Sequence, residues 1–146
     1  MPVHEQARGS FAESIETLQG VVFILDDYLE AAKKLFQSLL ERTEHSVSET
    51  FCQLYLLQIA LLEGDNEKAE EYASIRSVKS FLSLKMADVQ MIQAWYQFKV
   101  KKDIAQTRKA MKIARQKMNS SRMLRDEQCY YENWLAELEK ALVEGV

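Results

Sequence analysis

Proline and glycine are scarce in this chain of 146 residues. It contains one proline, Pro2, and four glycines, of which only Gly20 and Gly64 lie away from the ends. Because proline and glycine interrupt helices and form tight turns, their scarcity favours a nearly all-helical chain. Hydrophobic residues make up 47% of the sequence. This excludes a disordered polar chain and is sufficient for the core of one domain of this length.

The sequence also lacks long apolar runs. None approaches the roughly 18 residues of a transmembrane helix, and the N-terminus lacks the basic-then-apolar pattern of a secretory signal. We therefore predict a cytoplasmic protein without a membrane span, and a nuclear location stays open. The two cysteines, Cys52 and Cys129, lie in apolar helical stretches, which favours buried free thiols over a disulfide.

Residues that carry chemistry are few. The histidines are His4 and His45, and no Cys-x-x-Cys pair, glycine-rich phosphate loop or Gly-x-Ser-x-Gly turn occurs. A Cys–His pair is not excluded by spacing, but Cys52 lies inside a helix, where nothing stabilises a thiolate. We predict no enzyme activity, no catalytic residue, no metal site and no cofactor.

Apolar residues recur with helical spacing through most of the chain. After a flexible lead-in over residues 1–9, capping boxes at Ser10–Glu13 and Ser46–Glu49 predict the starts of the first and third helices. Polar connections divide the remainder, residues 10–146, into one domain of seven helices. These are predicted over 10–25, 28–40, 46–62, 65–81, 83–98, 103–118 and 122–144.

Three aspartates mark a repeat. Asp27, Asp65 and Asp103 are separated by 38 residues, and each lies in a turn between two predicted helices. Asp65 and Asp103 are predicted to cap the helices that follow them. A period of this length, built of helix–turn–helix units, is typical of an α-solenoid. We predict three such repeats and one closing helix; the alternative is an irregular helical bundle. The equivalent positions predicted from this period are Ala31, Ala69 and Thr107, then Leu35, Ala73 and Met111, then Leu18, Leu56 and Ala94, then Val22, Ala60 and Phe98.

The middle repeat resembles the tetratricopeptide repeat (TPR) family. Leu56, Gly64, Asp65, Ala69 and Tyr72 carry the resemblance, and the first repeat has a similar turn in Asp27, Tyr28, Glu30 and Ala31. The chain departs from the family at Gln53, Lys102 and Thr107, has no proline closing a repeat, and has a longer period. The resemblance implies a divergent TPR-like, right-handed α-solenoid over residues 10–144.

The same resemblance implies that the first helices of the repeats line a concave groove that binds a peptide or helix. Glu16, Gly20, Leu54 and Gln58 replace the basic and amide residues that clamp a terminal carboxylate in some family members. We therefore expect an amphipathic helix as ligand; the alternative is that the groove residues pack on one another. The candidate groove residues are Glu13, Glu16, Gly20 and Phe23, then Phe51, Leu54, Gln58 and Leu61, then Val89, Ile92, Tyr96 and Lys99, then Tyr130 and Trp134.

Basic residues are concentrated in one segment. Residues 99–125 contain ten basic residues and one acid, a formal charge of +9, so the rest of the chain carries −12. Arg108, Lys112 and Arg115 share one helix face, which suits nucleic-acid phosphates or an acidic partner. The negative overall charge and the absence of an aromatic-rich motif weaken the nucleic-acid interpretation. The alternative is a solvated face balanced by Glu132, Glu137 and Glu139.

These observations predict a non-enzymatic protein–protein interaction module, an adaptor, scaffold or regulatory domain that binds a peptide or helix of another protein. Two alternatives stay open. One is a regulatory subunit that contacts nucleic acid or an acidic partner through the basic face. The other is a helical protein that associates with itself, for example as a homodimer, through apolar residues at an open end of the array.

Overall fold

The chain is all-helical. The computed structural model describes residues 3–120 and 125–144, with side chains over 12–119 and 125–144. In these ranges it has no strand and eight α-helices, where seven were predicted. The helices are α1 (Val3–Leu25), α2 (Leu29–Arg42), α3 (Ser46–Glu63), α4 (Asn66–Ala73), α5 (Arg76–Leu82), α6 (Ala87–Tyr96), α7 (Ile104–Ser120) and α8 (Arg125–Glu144), and a π-helical turn (Gln97–Lys101) continues α6.

The extra helix arises from a break at Ser74, inside the predicted fourth helix. The Ser74 hydroxyl donates to the Glu70 carbonyl at 2.8 Å, and Ile75 N–H donates to the Tyr72 carbonyl, three residues back, at 3.2 Å. A serine that bonds back to the preceding turn in this way bends or ends a helix. The prediction of one helix over 65–81 is therefore wrong, and the chain forms α4 and α5.

Two other helix starts differ from the predicted ones. α1 begins at Val3, before the predicted cap at Ser10, so residues 3–9 are helical. α6 begins at Ala87 and not near Ser83, because the intervening chain is held as a turn. The buried Gln90 side chain fixes that turn by donating to the carbonyls of Leu82 and Leu84, at 3.2 and 2.8 Å.

The helices fall into two compact units, Met1–Val78 and Lys79–Val146. In unit 1, α1 packs on α2, α2 on α3 and α3 on α4, and α1 also contacts α3. In unit 2, α6 packs on both α7 and α8. The prediction of one domain over 10–146 stays a prediction. Deeply buried large side chains include Ile24, Phe36, Leu39, Leu57 and Ile59 in unit 1 and Met91, Ile92, Tyr131 and Leu138 in unit 2.

Three turns have the same backbone conformation: a residue with positive φ lies two positions before the first residue of the next helix. These residues are Asp27 (φ 64°), Gly64 (φ 76°) and Lys102 (φ 56°). Asp65 and Asp103 then cap α4 and α7, since their carboxylates accept from backbone N–H groups three residues on, each at 3.1 Å. These two predicted caps are confirmed.

The first turn is displaced by one residue, so Asp27 does not cap α2. It takes the left-handed conformation, and Tyr28 stands at the cap without a side-chain hydrogen bond. The backbone explains the different spacing. The N–H groups of Tyr28 and Asp65 donate to carbonyls five residues back, at 2.8 and 2.9 Å, whereas Asp103 N–H donates to Gln97, six residues back, at 2.9 Å. The π-helical turn therefore lengthens the third turn by one residue, and the positive-φ residues of the three turns recur after 37 and then 38 residues.

Burial follows this corrected register. Ala32, Ala69 and Thr107 are all 0% exposed, whereas the predicted Ala31 is exposed. Phe36 is likewise buried in place of the predicted Leu35, in line with the buried Ala73 and Met111. The predicted equivalences of Ala31 and Leu35 are wrong by one residue, because the 38-residue spacing of the aspartates includes the displaced Asp27.

Candidate protein-interaction surfaces

Most of the predicted groove residues are buried. Ten of the candidate groove residues lie in the range from Phe51 to Trp134. Seven of these ten are buried, and the other three, Phe51, Lys99 and Tyr130, are half-buried. Within unit 2, Trp134 stacks on Trp95 with ring centroids 5.4 Å apart, and the Lys99 ammonium lies 5.1 Å from the Trp95 ring. Binding of a partner by this set stays a prediction, and it requires the buried residues to become accessible. The seven are Leu54, Gln58, Leu61, Val89, Ile92, Tyr96 and Trp134.

Gln58 is the most unusual residue of that set. Its side chain is 0% exposed, and neither its amide oxygen nor its amide nitrogen has a hydrogen-bond partner among the described residues. A buried amide without partners destabilises a fold by an amount comparable to a lost hydrogen bond. Gln58 therefore lowers stability where it lies.

A stripe of apolar residues on α1 is open to solvent. Ile15, Leu18 and Val22 are 51%, 65% and 50% exposed, and their spacing of three and four residues places them on one helix face. We call these three residues the α1 stripe. Exposed apolar side chains that line up in this way mark interaction surfaces more often than single ones do.

The corresponding face of α3 is covered. A shift of 37 residues takes the α1 stripe to Cys52, Tyr55 and Ile59, which are 0%, 8% and 1% exposed. The Tyr55 ring stacks on Phe36 of α2 with centroids 5.2 Å apart. In α3, then, the preceding helix covers Tyr55, whereas no described helix covers Leu18 in α1.

A cleft of about 680 Å³ lies beside the α1 stripe. Leu18 forms one wall, and Phe51 and Tyr55 of α3 lie on the other side, with their rings stacked 6.3 Å apart. Val47, at the start of α3, is 61% exposed at its edge. The cleft thus joins an apolar wall to a polar rim. The remaining lining residues are Ser14, Thr17, Glu44, His45, Ser46 and Ser48.

Contacts in the middle of α1 tie it to the end of α2 and the loop after it. Arg42 donates to Glu16 at 2.7 Å, and this hydrogen bond raises the pKa of Arg42. The Thr43 hydroxyl donates to Glu13 at 3.1 Å, and the His45 ring lies 3.7 Å from the same carboxylate. Glu13 and Glu16, predicted as groove residues, therefore bind the end of α2 and the loop after it.

The basic face lies on α7, as predicted from its spacing. Arg108, Lys112 and Arg115 line a cleft of about 340 Å³ between α7 and α8, which we call the α7–α8 cleft. Arg115 pairs with Glu139, one of the three acids expected to balance it. In the part of the chain that the structure describes, Arg108 and Lys112 form no ion pair. The apolar lining residues are Met111, Leu142 and Val143.

The cysteines differ in environment. Cys52 is buried, and desolvation raises the pKa of its thiol to about 11, which suppresses the thiolate. Cys129 is exposed, so the prediction of a buried thiol is wrong there: the buried side of this turn of α8 is taken by Tyr131. Within the described side chains, no group of three or more potential metal ligands occurs. None of the described helices combines the length and apolar character of a membrane span.

The sequence contained a signal for the α1 stripe. Its spacing is visible in the sequence, but the same spacing also predicts the core face of a helix. Whether a neighbouring helix covers such a face depends on which elements surround it.

Known proteins give no further information about this chain. Comparison of the chain with family models, with curated proteins and with solved structures found no match. The likeness of the Gly64–Asp65 turn to the TPR family therefore stays a resemblance carried by the residues themselves.

Proposed function

We propose that the chain is a non-enzymatic protein–protein interaction module built as a divergent TPR-like α-solenoid. In this proposal α1–α2, α3–α4 and α6–α7 are successive repeats, and α8 is the closing helix. Support comes from the positive-φ turns at Asp27, Gly64 and Lys102, and from the packing of α1 on α2, α3 on α4 and α6 on α7. The buried small residues Ala32, Ala69 and Thr107, at equivalent positions after these turns, support it as well.

The exposed α1 stripe is the observation that carries the proposed binding function. A solenoid repeat buries its apolar faces only against its neighbours. Because Phe36 of α2 covers Tyr55 of α3, the open position Leu18 and its neighbour Val22 are where a preceding helix would pack. We propose that a helix of another protein lies along α1 in this place.

Charge indicates the kind of helix. Unit 1 contains 14 acidic and 6 basic residues, a formal charge of −8. Glu44 lies at the cleft, and Asp26 and Asp27 are exposed at the end of α1. An amphipathic helix with an aliphatic face and basic flanks suits this surface in both shape and charge. The interaction surface thus moves from the predicted groove to the outer face of α1.

A designed peptide tests the proposal. It carries leucines at positions i, i+3 and i+7 of one face and lysines on the flanks, and fluorescence anisotropy gives its Kd for the full chain. We expect Leu18→Glu to weaken binding about tenfold or more, because a desolvated carboxylate then opposes the apolar face.

The matched control is Leu84→Glu, the same substitution at a leucine that is 42% exposed in unit 2. It should leave the Kd unchanged, and circular dichroism should show both variants folded. Equal affinity of the wild type and the Leu18 variant, or equal affinity for a peptide with scrambled leucine positions, contradicts binding at the α1 stripe.

A second candidate function uses the α7–α8 cleft to bind an anionic partner. The absence of an ion pair at Arg108 and Lys112, within the described residues, favours it. The apolar lining is aliphatic and offers no ring on which a base can stack, which favours an acidic protein over a single-stranded nucleic acid. Titration with a labelled oligonucleotide at low and moderate salt separates the two. Binding that falls steeply with salt and is lost in Arg108→Glu supports the nucleic acid.

A further inference from the structure

The two compact units have opposite charge. Unit 1 carries −8, whereas unit 2 has 8 acidic and 13 basic residues and carries +5. The small net charge of the whole chain, −3, conceals this difference. Surfaces of opposite sign on one molecule attract one another between copies, at ranges set by the salt concentration.

The positively charged unit 2 contains a binding cleft, the α7–α8 cleft. Arg108 and Lys112 are exposed at its rim, one helical turn apart, and no described carboxylate pairs with them. Val143 is 86% exposed at the same cleft. An occupant therefore needs carboxylates spaced one helical turn apart.

The negative side offers that spacing on α4. Glu67 and Glu71 are both exposed and lie four residues apart, as Arg108 and Lys112 do. Glu67 forms no ion pair within the described part of the chain, and the pair of Glu71 with Lys68, at 3.4 Å, is an exposed surface contact. Side chains four residues apart on a helix are neighbours on one face. The two charge pairs therefore match when two helices lie side by side.

We propose that the chain associates head to tail, with α4 of one copy docked at the α7–α8 cleft of the next. The proposal does not involve the α1 stripe; it rests on the second candidate function, an anionic partner at the α7–α8 cleft, and identifies that partner as another copy of the chain. The two surfaces are different, so the contact is heterologous, and an associated pair keeps one free surface of each sign for further association. Because the charges are exposed, salt screens the attraction and weakens the assembly.

Sedimentation velocity on the full chain tests this at several protein concentrations. In low salt, about 20 mM NaCl, the average mass should rise with concentration above the 17.0 kDa of one chain. In about 500 mM NaCl it should return to the monomer value. Reversal of either surface, by R108E/K112E or by E67K/E71K, should lower the association constant about tenfold or more, since like charges then face each other.

Mixing the two variants gives the sharpest result. R108E/K112E has two acidic surfaces and E67K/E71K has two basic ones, so neither variant should associate alone. The equimolar mixture should recover association, because each acidic surface then meets a basic one. The matched control K79E/K85E changes two exposed lysines of unit 2 away from the cleft and makes the same change in net charge. It should leave the association constant within about twofold of the wild type.

Three results overturn the proposal. The first is a wild-type chain that stays monomeric in low salt at every concentration. The second is association that survives both reversals or is abolished by Leu18→Glu, which places the contact on the α1 stripe. The third is a mixture that fails to associate although circular dichroism shows both variants folded.

Discussion

The ring of Phe36 in α2 lies directly against the backbone of Gly20 in α1. A Cβ atom added at Gly20 would overlap three atoms of that ring. Phe36 is fully buried and also stacks on Tyr55 of α3, so the ring cannot move aside without disturbing a second contact. Glycine thus allows α1 to approach α2 closely, and this contact helps to orient α1 and its exposed stripe.

Gly20→Ala should therefore destabilise the chain, although alanine is the better helix former. We expect the overlap with Phe36 to cost about 1–3 kcal/mol, partly offset by about 1 kcal/mol of helix propensity. Urea unfolding followed by circular dichroism measures the free energy. Repeating the substitution in a Phe36→Leu background should reduce the cost, because the smaller side chain leaves room. An equal cost in both backgrounds contradicts the contact.

Gln58→Met should stabilise the chain. Methionine is close to glutamine in shape and removes two buried polar atoms that have no partner among the described residues, so we expect a gain of about 1 kcal/mol in the free energy of unfolding. Gln90→Met is the matched control. Its amide donates to the carbonyls of Leu82 and Leu84, so this substitution should cost about 1–3 kcal/mol. A loss of stability at Gln58 would show that its amide has a partner.

Lys102→Gly should also stabilise the chain, since Lys102 adopts a φ of 56° that glycine tolerates better. The expected gain is about 1 kcal/mol. The same substitution at Lys109, exposed in the middle of α7, should instead cost about 1 kcal/mol. Thermal unfolding of the two variants distinguishes the positions, and the same sign of change in both contradicts the left-handed conformation at Lys102.

Cys52 should make stability depend on alkaline pH. Burial raises the pKa of its thiol from 9.0 to about 11, so the folded state holds its proton where the unfolded chain has lost it. The folded state therefore keeps its full stability below pH 9, and this contribution is lost as pH rises from 9 towards 11. Unfolding free energies of the wild type and Cys52→Ala across this range should converge as pH rises.

Cys129→Ala, the same substitution at an exposed cysteine, provides the control. Labelling with a thiol reagent at neutral pH gives an independent check. One thiol of the native chain should react quickly and the second only on unfolding. Fast reaction of both thiols contradicts the burial of Cys52.

Local chemistry made the helices and several of their ends predictable. Asp65 and Asp103 cap their helices because a carboxylate before a helix finds free backbone N–H groups within its own turn. The left-handed Gly64 follows equally from local geometry, since glycine lacks the Cβ that makes this conformation unfavourable. The face of Arg108, Lys112 and Arg115 was predictable because helix periodicity alone sets which side chains are neighbours.

Features that depend on hydrogen-bond competition were harder to predict. At Ser74 the hydroxyl bonds to the Glu70 carbonyl where the helix breaks, and the sequence does not show which hydroxyl competes with the helix in this way. The π-helical turn before Lys102 adds a residue that the sequence does not mark, and the displacement of the first turn to Asp27 and Tyr28 is equally unmarked. Because of these two displacements, the three aspartates are evenly spaced by 38 residues, whereas the positive-φ residues of the turns are spaced by 37 and then 38.

The sequence by itself determined an all-helical chain, the caps at Asp65 and Asp103 and the basic face of α7, because each depends on residues within a few positions of one another. Only the tertiary structure decided which apolar faces are covered. Tyr55 and Leu18 have the same helical pattern, yet α2 covers Tyr55 and no described helix covers Leu18. Burial is a property of neighbours, and neighbours distant in sequence leave no mark on the pattern of one helix.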